Sequence, residues 1–244
     1  MNKPNSCLTR SQINRLIDDS LTILRQAGFH LPPFATWTST QWENAGPEWN
    51  SARRARLGWD VTDFGLGRFQ HVGRVLFTLR NGSAKSGDKP YAEKIIVGRH
   101  GQRAPAHYHQ SKTEDIINRG GGEVVLKLDP PVETRYQSAV FRDGCALPVT
   151  PGTLIRLQPG ESLCLPAGII HQFWGEETLP GKTPLIGEVS SFCDDVNDNV
   201  FFDEVARFVT ISEDEPARYC LCNELPDYAP TEPALVPAAL ELQS

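Results

Sequence analysis

The sequence predicts a mainly β protein, a sandwich or barrel of short strands that follows one N-terminal helix and an aromatic-rich arm. Short apolar and β-branched runs recur from residue 72 onward, separated by turn signals such as Asn81-Gly82 and Pro159-Gly160. Helical periodicity is confined to the beginning of the chain. Several histidines and one carboxylate are spaced as in a metal site built on strands.

The predicted helix begins after Thr9-Arg10-Ser11-Gln12, which resembles a capping box. Gly28 supplies a stop at its C-terminal end. The apolar residues between them follow the helical period: Ile13, Leu16, Ile17, Leu21, Leu24 and Ala27. In the arm that follows, Trp37, Trp42, Trp49 and Trp59 are expected to pack against the barrel, and a sugar-binding surface is the alternative.

The strand candidates lie between turn signals. They are Val72–Leu79, Tyr91–Arg99, Glu123–Leu128, Gly152–Leu157, Glu161–Leu165, Ile169–Trp174 and Pro184–Phe192. Residues 203–208 form either a short helix or a bend. The predicted organisation is therefore a helix and arm over 1–71, a barrel over 72–225 and a Pro-rich tail over 226–244.

Composition narrows the function classes. The chain has 244 residues, enough for one large core, and its net charge of −6 argues against nucleic acid as the main partner. No apolar run approaches a membrane span, and the N-terminus has no secretory apolar segment. The six cysteines are scattered, which predicts free thiols and a cytoplasmic protein without structural zinc.

The most informative pattern is a set of four candidate metal ligands. His107 and His109 are two residues apart, so in a strand their side chains project from one face. Simple alternation would place Glu114 on the opposite face, so we expect a turn or bulge before it. His171 comes from a later strand, entered through Pro166-Ala167-Gly168.

Three imidazoles and one carboxylate suit a divalent Mn, Fe, Co, Ni or Zn ion. Six-coordination would leave two positions for water or substrate. The other histidines, His30, His71 and His100, lack companions in the sequence and are interpreted as structural.

Two segments carry a family resemblance. Residues 101–121 and 160–171 resemble the two cupin motifs, with Gly101, His107, His109, Glu114 and Gly121 in the first. The second departs only at its end, where Gly175 stands in place of the usual asparagine. The resemblance implies a cupin double-stranded β-helix, a jelly-roll barrel with its metal inside.

A narrower resemblance covers most of the chain. The segments that carry it are 28–34, 58–65, 77–82, 91–95 and the run Lys112-Thr113-Glu114-Asp115-Ile116-Ile117-Asn118-Arg119-Gly120-Gly121-Gly122. They resemble the D-lyxose ketol-isomerase family. This implies a Mn²⁺-dependent homodimeric aldose–ketose isomerase that converts D-lyxose to D-xylulose, and D-mannose to D-fructose. The sequence departs from the family pattern at Phe192-Cys193, which loosens the prediction of sugar preference.

Such an isomerase moves a proton between C2 and C1 of the open-chain sugar through an enediol(ate), so it needs a base and a group that handles the hydroxyl proton. Lys94 and Lys112 are candidates for orienting the substrate oxygens or for relaying protons to them. Among carboxylates, Glu204 is the first candidate base, followed by Asp195, with Asp194 also considered.

Arg218 is a candidate for holding the distal hydroxyls of the sugar. The acidic run Glu213-Asp214-Glu215 is interpreted as a solvated surface. An Fe(II) cupin dioxygenase and a non-catalytic sugar-binding cupin are the alternative functions. Oxygen consumption would identify the first, and sugar binding without turnover would identify the second.

Overall fold

A computed structural model describes residues 7–227, apart from positions 86, 179, 195, 196 and 207. Within them the chain is mainly β, and one long helix lies at its N-terminal end. The predicted fold class is therefore confirmed. Asp195 and most of the Pro-rich tail predicted over 226–244 lie outside the described residues. No helix in the described part of the chain is long and apolar enough to span a membrane.

Two large sheets dominate the fold. The first has eight strands in the order β2-β3-β4-β13-β6-β11-β8-β9. In chain order these strands are β2 (Gly58–Thr62), β3 (Arg74–Arg80), β4 (Tyr91–Val97), β6 (Glu114–Gly120), β8 (Ala139–Arg142), β9 (Cys145–Pro148), β11 (Ser162–Leu165) and β13 (Leu185–Ser191). All of their pairings are antiparallel.

The second sheet has five strands in the order β10-β7-β12-β5-β14. They are β5 (His107–His109), β7 (Glu123–Asp129), β10 (Thr153–Leu157), β12 (Ile170–Glu176) and β14 (Asn199–Phe201). A short parallel pair joins β1 (Leu8–Thr9) to β15 (Ile211–Ser212) near the two ends of the described chain.

Every strand predicted from the sequence is present, with ends that differ by at most two residues. Of the strands absent from that set, β6 has seven residues and the others have two to five. Gly58–Thr62 is buried along its whole length, so it lacks the alternation of a half-exposed strand. Residues 203–206 form a bend and irregular chain, which resolves the choice between a helix and a bend.

The long helix is α1 (Arg10–Gln26). The predicted capping box is confirmed, because the Thr9 hydroxyl accepts from Gln12 N–H and the Gln12 side chain accepts from Thr9 N–H. Gly28 follows with a φ of 71°, as expected of a residue beyond a helix end. The shorter helices are α2 (Ser39–Asn44), α3 (Asn50–Arg54) and α4 (Phe69–Val72), with 3₁₀ turns at Pro33–Thr36 and Pro47–Trp49.

Alternate residues of the central strands pack in two different cores. On β4, Ile95 and Val97 belong to a cluster with Ile13 and Ile17 of α1, so the helix covers the outer face of the eight-stranded sheet. Ile96 belongs to the second cluster, which includes Leu126 and other residues of the five-stranded sheet. Strand β4 is therefore buried on both faces, and side chains between the sheets form the interior of the barrel.

The aromatic-rich arm packs on its own barrel. The Phe34 ring stacks on Phe77 of β3, with centroids 5.6 Å apart, and meets Trp42 and Trp49 edge to face. Trp59 lies against Phe77 and donates its indole N–H to the carbonyl of Ala35. These contacts favour the packing interpretation of the tryptophans, since Trp42 and Trp59 are fully buried.

The acidic run at residues 213–215 has a structural role that sequence analysis did not predict. Glu213 accepts hydrogen bonds from the guanidinium of Arg10, and Asp214 accepts from the backbone and hydroxyl of Ser11. Glu215 accepts from the side chain of Asn14. Three carboxylates thus lie at the N-terminal end of α1, where the helix dipole favours negative charge, and Asp214 satisfies one of its free N–H groups.

Arg10 joins the two ends of the described chain, because its buried guanidinium also binds Glu224 at 2.5 Å. We expect Arg10→Met to destabilise the protein by about 2–3 kcal/mol, since it leaves two carboxylates without their cation, partly compensated by solvent at Glu213. Urea unfolding at pH 7 measures this. Arg15→Met, an exposed site on the same helix, is the control and should cost less than about 0.5 kcal/mol.

The pH dependence of this effect follows from Glu213. Its hydrogen bond with Arg10 lowers the pKa of Glu213, so the interaction stabilises the fold above the carboxyl's ordinary pKa. Stability is lost as the pH falls through the lowered value. The gap between wild type and Arg10→Met should therefore shrink under acid conditions, and a gap independent of pH would contradict this account.

Candidate active site

Two strands of the five-stranded sheet carry the three histidines of the site. His107 and His109 lie on β5, and His171 lies on β12 directly opposite His107 in the antiparallel register. The spacing of two places both β5 imidazoles on one face, as predicted. One ring nitrogen from each of the three histidines lies within 4.8 Å of the others, so the imidazoles converge on one point.

Glu114 reaches the same point from the opposite sheet. It is the first residue of β6, and the chain crosses between the sheets through residues 110–113. Glu114 Oε1 lies 3.0 Å from His171 Nε2, and Oε2 lies 3.4 Å from His109 Nε2. Simple alternation along one strand would place Glu114 on the opposite face from His109. Glu114 instead belongs to another strand, and the crossing between the sheets is the turn expected before it.

Hydrogen bonds orient two of the imidazoles. The Nδ1 atoms of His107 and His171 lie 3.0 and 2.9 Å from the carbonyl oxygens of Pro105 and Ile169. A carbonyl can only accept, so each Nδ1 carries the hydrogen and donates it. The Nε2 lone pairs then remain available to bind an ion, as is usual for metal-binding histidines.

Asp198 supports the third imidazole and the crossing segment together. Its Oδ2 lies 3.1 Å from His109 Nδ1, while Oδ1 accepts from the backbone and hydroxyl of Ser111. Burial works against the charged carboxylate, but the contacts with His109 and Ser111 outweigh it and lower the pKa of Asp198 to about 2. An ionised Asp198 therefore faces His109 at neutral pH.

The electrostatics suit cation binding. Burial, reinforced by the other two imidazoles, holds the pKa of His107 well below its ordinary value, so this ring is neutral at pH 7. Burial opposes charge on Glu114, but Lys112 and His109 hold its pKa well below the usual range. Burial and Lys112 favour a lower pKa for His109, but the carboxylates of Glu114 and Asp198 outweigh them. The net effect is a pKa of His109 above its ordinary value.

The donor atoms fit a divalent metal ion. Within the described residues, His109 Nε2, His171 Nε2 and Glu114 Oε1 are buried and make no hydrogen bond, although they lie close together. Polar atoms buried in this way are costly unless a partner binds them. Two donors bound at right angles to one ion, each about 2.1 Å from it, lie about 3 Å apart. The observed separations match that spacing.

A buried cluster of two lysines and a glutamate adjoins this point. Glu188 on β13 is directly opposite Lys94 on β4, and Glu188 Oε1 accepts from Lys94 Nζ at 3.2 Å. The same oxygen accepts from Lys112 Nζ at 2.9 Å, and Lys112 Nζ also lies 2.6 Å from Glu114 Oε2. The cluster thus connects the candidate metal ligands to a second carboxylate.

Pairing maintains the charged states of Lys112 and Glu188. Burial disfavours the ammonium of Lys112, but Glu114 and Glu188 outweigh it and raise the pKa of Lys112 above its ordinary value. Burial likewise disfavours the Glu188 carboxylate, but Lys112 and Lys94 lower its pKa. Glu188 is therefore ionised at neutral pH.

These groups line one cavity between the sheets, with about 590 Å³ of empty space that includes its mouth. Its polar lining includes His107, His109, Lys94, Lys112, Glu114 and Glu188. Its apolar lining includes Phe64, Leu76, Ile96, Phe173 and Phe201. Arg74 also lines the cavity, and its guanidinium donates to the carbonyls of Gly73, Gln102 and Phe173. Burial lowers the pKa of Arg74 to about 10.

The structure brings together six of the residues predicted from the sequence: His107, His109, Glu114, His171, Lys94 and Lys112. Other predicted residues lie elsewhere. Glu204 is exposed and does not line this cavity, and Arg218 pairs with Asp18 of α1. Asp194 borders a neighbouring pocket that shares Lys94 with this one. His30, His71 and His100 are exposed.

Sequence reasoning missed Glu188, Arg74 and Asp198. Glu188 lies in a predicted strand, where a single buried carboxylate among apolar residues was the available signal. The available signal for Arg74 was similar, a charged residue beside the apolar run of β3. Nothing in the local sequence separates Asp198 from the other Asp and Asn residues around it.

Comparisons with known proteins agree with this geometry. Residues 8–225 match the model of the D-lyxose isomerase family. The D-lyxose/D-mannose isomerase of Escherichia coli O157:H7 is 45% identical over 224 residues, which is 89% of this chain and 98% of that protein. The enzyme of the same name from Serratia proteamaculans is 42% identical, over 88% of this chain and 96% of that protein.

Solved structures share the fold at low identity. L-ribose isomerase from Cellulomonas parahominis, solved with L-ribose, is 19% identical and superposes with a TM-score of 0.58 over 85% of this chain and 100% of that one. The Acinetobacter sp. DL28 L-ribose isomerase with L-ribose is 15% identical, with a TM-score of 0.59 over 85% and 99% of the two chains. From the family match and the two relatives, the chain belongs to the D-lyxose isomerase family.

Proposed function

We propose that this cavity isomerises an open-chain aldose to the ketose, converting D-lyxose to D-xylulose and D-mannose to D-fructose. The observation that carries the proposal is the convergence of His107, His109, His171 and Glu114 beside the ionised Glu188, in a chain of this family. Such a site has the two parts the reaction needs, a place for a cation and a base.

We propose that the three histidines and Glu114 hold one divalent cation, with Mn²⁺ the metal that the family resemblance implies. Zn²⁺, Co²⁺, Fe²⁺ and Ni²⁺ suit the same donors. A bound divalent cation would polarise the sugar oxygens on C1 and C2 and so acidify the C2 hydrogen. The Asp198 contact keeps His109 facing the site.

In this proposal Glu188 is the base. It is buried in the cavity, ionised, and joined through Lys112 to the ligand candidate Glu114. Its carboxylate would take the proton from C2 and return it to C1, with an enediol of the sugar between the two transfers. Glu204, the first candidate from sequence, is exposed. Asp195 stays a prediction, because it lies outside the described residues.

The lysines have the complementary role. Lys94 and Lys112 both donate to Glu188 Oε1, so they keep the carboxylate ionised and fix its direction. Their ammonium groups line the same cavity and can donate to a sugar oxygen whose charge increases during proton transfer. A homodimeric assembly and a cytoplasmic location stay predictions of the family resemblance.

The reaction itself is the first test. Metal-free protein supplied with Mn²⁺ should convert D-lyxose to D-xylulose without oxygen, phosphate or nucleotide, and chelator should abolish the conversion. In deuterated water the D-xylulose should carry deuterium at C1, because the proton on Glu188 exchanges with solvent. Chromatography and mass spectrometry measure both. Product without deuterium would replace proton transfer by a hydride shift, and oxygen uptake would favour a dioxygenase.

The metal ligands are tested by metal content. His107→Ala removes one of four donors. Loss of a residue that only supports a metal ligand typically weakens metal binding by roughly 10–100-fold, so we expect the loss of a ligand to weaken it by about 100-fold or more. His100→Ala, at an exposed histidine, is the control and should bind metal as the wild type does. Elemental analysis after dialysis decides. Equal metal content in His107→Ala and wild type would contradict the assignment.

The base is tested by a matched pair of variants. Glu188→Gln should reduce turnover by roughly two to four orders of magnitude, because the amide cannot accept the C2 proton, while metal content and folding persist. Glu204→Gln should retain turnover near that of wild type. The reverse result, loss at Glu204 and retention at Glu188, would return the base to the residue chosen from the sequence.

A further inference from the structure

The loop after β2 places a phenylalanine in an unusual backbone conformation. Phe64 has a φ of 59° and Gly65 a φ of 71°, and Leu66 N–H donates to the Asp63 carbonyl at 3.1 Å. Two positive φ angles between hydrogen-bonded ends are the pattern of a type I′ turn. Its first central position normally holds Asn, Asp or Gly, since the left-handed region is costly for a bulky side chain.

The surrounding chain holds Phe64 in this conformation. Its N–H donates to the hydroxyl of Thr62 at 2.9 Å, and its carbonyl accepts from Ala206 N–H at 2.9 Å. The neighbouring Gly65 N–H donates to the Asp63 side chain at 3.0 Å. The turn is therefore bonded on both sides, and its backbone fixes the direction of the Cα–Cβ bond of Phe64.

The ring forms part of the cavity's apolar side. Phe64 is only 7% exposed, and its ring lies 5.9 Å from that of Phe201, centroid to centroid. Phe201 in turn stacks on the imidazole of His107 at 5.0 Å. An aromatic wall of the cavity thus runs from the candidate metal ligand His107 through Phe201 to Phe64.

We infer that Phe64 determines substrate specificity by limiting the length of the sugar that this cavity accepts. The inference rests on the proposed function. When C1 and C2 lie beside His107, the later carbons extend along the aromatic wall, and the Phe64 ring bounds the space they fill. Backbone strain of this kind destabilises the fold and persists where the surroundings enforce it, often at binding sites. A turn without this role would accommodate Asn at lower cost.

The test is Phe64→Asn, because Asn tolerates the left-handed conformation and keeps the turn while removing the ring. We expect the ratio of kcat/KM for D-mannose to that for D-lyxose to rise about tenfold, the scale set by one carbon in an apolar pocket. Phe202→Ala is the matched control, since Phe202 adjoins the wall but is 55% exposed, and its ratio should stay at the wild-type value.

A binding measurement separates this inference from the proposed function. Calorimetric titration of Mn²⁺-loaded protein with D-arabinitol and D-mannitol, the five- and six-carbon alditols, needs no turnover. Phe64→Asn should shift the ratio of their Kd values about tenfold toward the longer alditol. Phe64→Leu, which removes the ring but keeps an apolar side chain, should shift it in the same direction.

The outcomes are distinct. Wild type without isomerase activity on either sugar would overturn the proposed function, and the alditol ratio would still decide the role of Phe64. An active wild type, together with Phe64 variants whose sugar and alditol ratios stay within twofold of it, would overturn the chain-length inference alone. A shift in Phe202→Ala equal to that in Phe64→Asn would also overturn it.

Discussion

The ammonium of Lys112 lies between two buried carboxylates, 2.6 Å from Glu114 and 2.9 Å from Glu188, and the organisation of the site depends on it. Without a cation between them, two carboxylates in a buried cavity would repel, and one would take up a proton. Lys112 allows both carboxylates to stay ionised, which the proposed metal site and the proposed base each require. The positive charge of Lys112 therefore reduces the cost of burying the two carboxylates and keeps both in the ionised state.

Lys112 reaches this position because its segment crosses from one sheet to the other. Residues 110–113 leave β5 after His109 and enter β6 at Glu114. Asp198 binds the crossing through Ser111 and faces His109 on its other side, so a single carboxylate holds the loop and an imidazole. Two candidate ligands and a charged neighbour are therefore placed by one short segment.

Helix α1 makes this polar interior possible. It covers the outer face of the eight-stranded sheet, so β3 and β4 bury apolar residues outward and are free to carry Arg74 and Lys94 inward. The carboxylates of residues 213–215 and Glu224 bind the first turn of α1. An apolar core under α1 and a second one between the sheets thus stabilise the fold around the charged groups of the cavity.

Local sequence information was sufficient for features that depend on neighbours along the chain. The capping box and apolar period define α1, turn residues bound the long strands, and two-residue spacing places His107 and His109 on one face. The spacing pattern also included Glu114 and His171 in the candidate ligand set, and the cupin motifs cover the same four residues. Each of these features requires only helix or strand geometry, or a motif that is contiguous in sequence.

The tertiary structure alone decided the rest. Strands buried on both faces give no alternation, so the sequence could not show that Glu188 and Arg74 point into the cavity. Phe64 enters it through a turn whose conformation its residue type disfavours. Glu204 and Glu188 are the same residue type, so the sequence alone does not distinguish them. The pairing of β13 with β4 and β6 places Glu188 beside two lysines, whereas Glu204 is exposed to solvent.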